Sequence, residues 1–135
     1  MPNTLPTDSR VLFLVCEATR QEIGGKVSLM GYVGGDTVQL PSDQQFPAGF
    51  PIAFVFVLQD GKGHYPCSVE VHDPHDVLLA QAPLPDVDKP PKENQIVMMN
   101  APVFFAAGFG TYRITLRLGN ASYHRNFILK PVATT

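Results

Sequence analysis

The chain has 135 residues, 44% of them hydrophobic and 16% charged, with a formal net charge of -2 and a pI near 6.0. That length suits one domain able to bury its own core and leaves too little chain for a second. The composition excludes a disordered tail, the charge balance supplies no global attraction to nucleic acid, and a surface this poor in charge invites contact with protein partners.

Residues 1–9 read as a flexible lead-in, and residues 10–132 as a single domain. The start "MPNTLPTDSR" has no basic region, and the apolar run Val11–Val15 is too short for a leader or a membrane span, so a cytoplasmic protein is expected. "RVLFLVC" opens as a strand and turns polar after Cys16. Next comes "EIGGKVS", residues 22–28, which raises the possibility of a phosphate-cradling loop. Such a loop needs an earlier glycine, a hydroxyl directly after the lysine and a following helix. Here Val27 follows Lys26 and the chain goes on alternating, so a turn is expected.

A two-residue turn at Gly24-Gly25 would pair Glu22 with Val27, Arg20 with Leu29 and Cys16 with Val33. Leu12, Leu14, Cys16 and Ala18 would then form a core face with Val27, Leu29 and Val33. Val11, Phe13 and Val15 would be left on the other face beside Met30 and Tyr32. With Phe104 and Phe105 of "APVFFAAGFG", these residues form the expected interaction surface, for a protein partner or a second copy of the chain.

Residues 41–51 read as a loop whose Phe46 and Phe50 tuck back onto the core. "PIAFVFVLQD" is apolar on both alternating faces, as a strand covered on both sides would be. In "YPCSVEV" the pattern turns Tyr65, Cys67, Val69 and Val71 inward, and Asp73-Pro74-His75-Asp76 has type I turn chemistry before the return strand "VLLAQ". Residues 82–95, with four prolines, read as an exposed crossover loop between sheets. Finally "TYRITLRL" buries Tyr112, Ile114, Leu116 and Leu118 and returns across Gly119-Asn120, so residues 111–130 form a hairpin. No helical period is sustained. The fold expected is all-β, an antiparallel β-sandwich of about eight strands, immunoglobulin-like or C2-like.

No residue set points to catalysis. Cys67 alternates with core positions, no serine sits on a glycine-bracketed elbow near His64, His72 or His124, and no enzyme or cofactor is expected. Cys16 and Cys67 lack metal-ligand spacing and read as buried free thiols of a reducing compartment. His72, Asp73, His75 and Asp76 carry metal-ligating groups, but a proline-centred turn splays them and matches no zinc spacing. Asp73, Asp76, Asp86 and Asp88 could serve calcium only by analogy with loop aspartates of other sandwiches. Arg113 and Arg117, with His124 or Arg125 beside them, read as a solvated sheet face or a small site for acidic groups. The function expected is a non-catalytic protein-interaction or assembly module, a small-ligand or metal-binding sandwich being the alternative.

The run "VCEATRQEIGGKVSLMGYV", with "VHDPHDVLL" and the late "AGFGTYRITLRLGN", resembles an uncharacterised family of small bacterial proteins. The likeness is firmest at Glu17, Gly25-Lys26, Ser28-Leu29 and Gly31, then at Gly110 and Tyr112. It implies a bacterial source and a β-sandwich, and it brings no activity or catalytic residue. His75-Asp76 departs from it, standing where a glycine-containing turn is expected.

Overall fold

The computed structural model describes residues 3–132. Ten strands run in chain order: β1 (Val11–Cys16), β2 (Ala18–Gln21), β3 (Val27–Met30), β4 (Thr37–Leu40), β5 (Ala48–Leu58), β6 (Gly63–His72), β7 (Leu78–Lys89), β8 (Gln95–Ala106), β9 (Gly110–Leu118) and β10 (Ala121–Pro131). The only helical element among the described residues is a 3-10 turn, Asp8–Arg10. No helix is long and apolar enough to cross a membrane.

Three strands form one sheet in the order β1-β5-β8, and five form another in the order β4-β10-β9-β6-β7. Every pairing is antiparallel except the parallel pair β4–β10. The two sheets share one core in a sandwich-like packing. Its centre is aromatic: Tyr112 stacks on Phe127 at 4.8 Å, and Phe54 and Phe104 close around them. Each such fully buried side chain contributes roughly 1.5–3 kcal/mol of transfer free energy. The β9–β10 hairpin follows the sequence pattern, with Tyr112, Ile114, Leu116 and Leu118 all buried and Leu118 paired with Ala121 across a turn in which Gly119 has φ +57°.

β2 and β3 form a separate hairpin lying over the outer face of the three-stranded sheet. Leu29 packs on a small second core of Cys16, Ala53 and Val55, and the amide and hydroxyl of Thr19 both donate to Asn100 Oδ1 on β8. This flap is why β5 is apolar on both faces.

Its register differs from the expected one. Gln21 pairs with Val27, Arg20 with Ser28, Thr19 with Leu29 and Ala18 with Met30. The turn holds three residues, Ile23–Gly25, closed by Glu22 N–H donating to the Lys26 carbonyl, with Gly24 at φ +85° and Gly25 at φ +76°. One extra residue moves each return-strand side chain to the opposite face.

Strand β1 also faces the other way. Val11 and Val15 are buried in the main core and Phe13 packs on Phe54 and Phe56, whereas Leu12 is exposed and Cys16 belongs to the outer cluster. Both faces of β1 are apolar because one meets the core and the other the flap. Alternation alone therefore could not assign them.

Two expected boundaries are corrected. Residues 82–89 are strand, not loop: β7 runs through Pro83 and Pro85, which is possible because β7 is an edge strand, where a missing N–H costs no ladder bond on the open side. The crossover to the other sheet is only residues 90–94. The lead-in is held from Asn3 onward: Thr4 bridges Lys62, Thr7 bonds the Asp60 carboxylate, and the buried Tyr123 hydroxyl donates to the Pro6 carbonyl. The first two residues of that expected lead-in lie outside the described residues.

Candidate functional site

The outer face of the five-stranded sheet is polar and internally paired. Arg117 donates two bonds to Glu70 at 2.9 and 3.2 Å, which lowers the Glu70 pKa. Arg113 pairs with Asp76 at 2.9 Å, and Thr115 meets His124 Nδ1 at 3.0 Å. His124, not Arg125, shares this face. Arg125 lies opposite the core residue Ile114, so its guanidinium turns inward and donates to the carbonyls of Asp8 and Val11. It fastens β1 and the 3-10 turn to β10, so the three arginines expected to form a basic site, Arg113, Arg117 and Arg125, are each engaged within the chain.

The "HDPHD" turn is committed to its own backbone. One Asp73 carboxylate oxygen accepts from His75 N–H at 2.8 Å and Val77 N–H at 2.9 Å, and Asp73 is buried. Asp76 takes φ +64°, the position where a three-residue hairpin loop favours glycine. His72 Nδ1 is buried and has no hydrogen-bond partner among the described residues, and His72 pairs across the ladder with Arg113, whose positive charge opposes a metal cation there. Among the described residues no group of three His, Cys, Asp or Glu side chains converges on one point.

Asp86 and Asp88 lie on β7 near the strand's other end and hold His64 of β6 instead. Asp88 meets its Nδ1 at 2.5 Å and Asp86 its Nε2 at 3.0 Å. These bonds raise the His64 pKa. The two ring nitrogens point away from each other, so the three side chains share no metal-sized centre.

The "EIGGKVS" residues serve the flap. Glu22 accepts from Arg20 Nε at 2.7 Å and Ser28 Oγ at 3.0 Å, while the Glu17 side chain lies across Gly31, where a Cβ would come within 2.7 Å of its Cγ. Gly31 thus has to be glycine twice over, for this contact and for its φ of +66°.

Of the expected interaction surface, Val11, Val15 and Phe104 are buried and Phe13 packs on the core, so these four are removed from it. Met30, Tyr32 and Phe105 are exposed, the last at 63%. Val103, not singled out by the sequence, joins Phe105 at 56% exposure; both crowd over Gly49, where a Cβ would lie 3.1 Å from each. Alternation along β8 explains the split, since Phe104 and Ala106 point into the core and Val103 and Phe105 point out.

The flap ends at the Thr19–Asn100 contact. Beyond it the outer face of β5 and β8 is bare, and a cleft of about 550 Å³ opens alongside. It is lined by four consecutive residues of β4, Thr37–Leu40, and by Phe50–Ile52 of β5, with Glu17 and Lys130 as its charged groups. Successive side chains of a strand point to opposite faces, so lining by every residue in a run means that strand edges front the cleft. β4 was missed in the sequence because it is short. Its signal was there in the alternation of "TVQL" between two turn-rich stretches.

No protein-family model and no curated protein matches the chain.

Proposed function

We propose that the chain is a non-catalytic protein-interaction module on an immunoglobulin-like sandwich. The fold type is supported by the pairing β6-β9-β10 facing β1-β5-β8 and by Tyr112 near the start of β9. Its hydroxyl accepts from the amides of Ala107 and Gly108, both at 3.1 Å, and donates to the Gly108 carbonyl. That is the arrangement of a tyrosine corner, a hallmark of immunoglobulin-like sandwiches.

Binding is favoured over catalysis by the chemistry on offer. Cys16 and Cys67 are buried and their thiols are shifted upward by desolvation, Cys67 to about 11, so neither is a thiolate at neutral pH. Buried, unpaired thiols also fit a reducing, cytoplasmic setting, and the sequence resemblance fits a bacterial source.

One observation carries the reading: the flap covers only part of the three-stranded sheet's outer face, leaving Val103 and Phe105 bare beside Gly49, the kind of apolar patch that marks a contact site. The occupant is a protein partner or a second copy of the chain. A photo-crosslinking residue at position 105, compared with one at the 99% exposed Ile23, tests it together with light scattering over a wide concentration range. Position 105 should capture a partner or a second copy, and Phe105→Glu should abolish that contact while changing stability by no more than about 0.5 kcal/mol. Equal labelling at both positions, with a monomer throughout, would sink the reading.

A further inference from the structure

We infer that the cleft between β4 and β5 takes an extended peptide by strand addition to β4. The inference rests on the interaction-module reading and names the chemistry of one partner segment. The main-chain pattern supplies the first argument. Ile128 N–H donates to the Asp36 carbonyl and Val132 N–H to the Leu40 carbonyl, so even-numbered residues of this stretch face β10. In a parallel ladder the intervening residues face the other way, and the N–H and C=O groups of Thr37 and Gln39 front the cleft.

Every open sheet has free edges, and what sets this one apart is an opposing wall. β1 stops pairing with β5 at Cys16–Ala53, so residues 48–52 of β5 lack a strand on that side and stand across the gap from β4. Between them the buried Ile52 and the half-buried Val33 and Leu40 form an apolar floor. The result is a slot about 13 Å long, at ~3.3 Å for each residue of β4. Its volume lies within the roughly 300–1,000 Å³ of ligand clefts.

The walls differ in what they can read. Pro51 removes an N–H from the β5 side, whereas Thr37–Leu40 contains no proline. The occupant therefore takes its main-chain bonds from β4 and only packs against β5. Charge narrows its chemistry further. Glu17 and Lys130 line the cleft, and among the described residues neither makes an ion pair. A segment carrying a basic side chain toward Glu17 and an acidic one toward Lys130, with a small apolar residue over Ile52, is complementary to the slot.

The test begins with a phage library of random short peptides selected on the full-length chain, followed by synthesis of the selected sequences with single N-methyl groups walked along the backbone. Strand addition predicts alternation: methylating amides that face β4 lowers affinity about tenfold, and methylating the intervening amides changes it by less than about twofold. Gln39→Pro, with its melting curve confirming the fold, should cost a similar factor. Affinity indifferent to N-methylation, a loss without alternation, or failure to select any peptide would each overturn the inference. Crosslinking at position 105 is read on the other side of the cleft wall, so it stands or falls separately.

Discussion

The five-stranded sheet has two edges, and they are built in opposite ways. β7 carries Pro83 and Pro85, a register shift between Tyr65 and Cys67 of its partner, the exposed Asp86 and Asp88, and Lys89, whose buried ammonium donates to the carbonyls of Gly61 and Pro90. Prolines, bulges and charges are the means by which natural sheets stop a second chain from adding a strand. β4 has none of them within Thr37–Leu40 and faces a walled slot instead of open solvent. An edge guarded on one side and bare on the other marks where pairing is tolerated. On the proposed strand addition, stability and recognition would fall to different margins of the same sheet.

The comparison breaks most visibly if the guard is removed. Replacing Pro83, Pro85, Asp86 and Asp88 together by valine restores the missing N–H groups and removes both charges. The expected outcome is concentration-dependent self-association through β7, seen as a rise in mass by light scattering. Gln39→Lys should have no such effect, because it adds a guard to the other edge. A quadruple variant that stays monomeric at all concentrations would mean that these residues do not protect the edge.

A smaller effect is expected at the turn that delivers β7 to β6. Asp73→Ala leaves the His75 and Val77 amides without their shared acceptor in a buried position, which should cost about 2 kcal/mol in urea unfolding. At the same turn Asp76→Gly should act with the opposite sign. It relieves the left-handed backbone but gives up the exposed pair with Arg113, for a net gain of about 0.5 kcal/mol. Two destabilised variants would show that the Arg113 pair, not the backbone, holds the turn.

Much of the fold was legible because alternation is unambiguous where one face is wet. Apart from Pro66, β6 and β9 carry polar residues between their inward positions, and the buried sets, Tyr65 to Val71 and Tyr112 to Leu118, follow directly. Legibility failed where that contrast vanished. β1 is apolar on both faces because the flap covers the outer one, so Val11 and Val15 read as surplus when they are core. The β2–β3 register depended on whether the glycine turn held two residues or three, and both counts fit the same letters. Prolines hid the second half of β7, whose edge position is a tertiary fact absent from local sequence. Of the candidate site, Met30, Tyr32 and Phe105 were recoverable from excess apolarity. The cleft was not, because main-chain groups at an edge leave no trace in side-chain chemistry.

The last difference between the edges is electrostatic. At the β7 edge, His64 of β6 is bonded by Asp88 and then Asp86 of β7, and both bonds favour its charged form, so its folded pKa lies above the usual histidine value of about 6.5. A raised pKa means that the folded state holds the proton more tightly than the unfolded chain. The resulting stabilisation is fully present below the unfolded value and fades as pH rises through the folded one. NMR titration should therefore find His64 as a high-titrating histidine, and unfolding experiments should show stability falling across that window, a fall that His64→Gln removes. Because these side chains are exposed, added salt should weaken the effect. The β4 edge has no titrating partner of this kind on its strand, so peptide binding there should keep its affinity through the same pH interval. Parallel loss of both would tie the two edges together through the sheet and would contradict their separate roles.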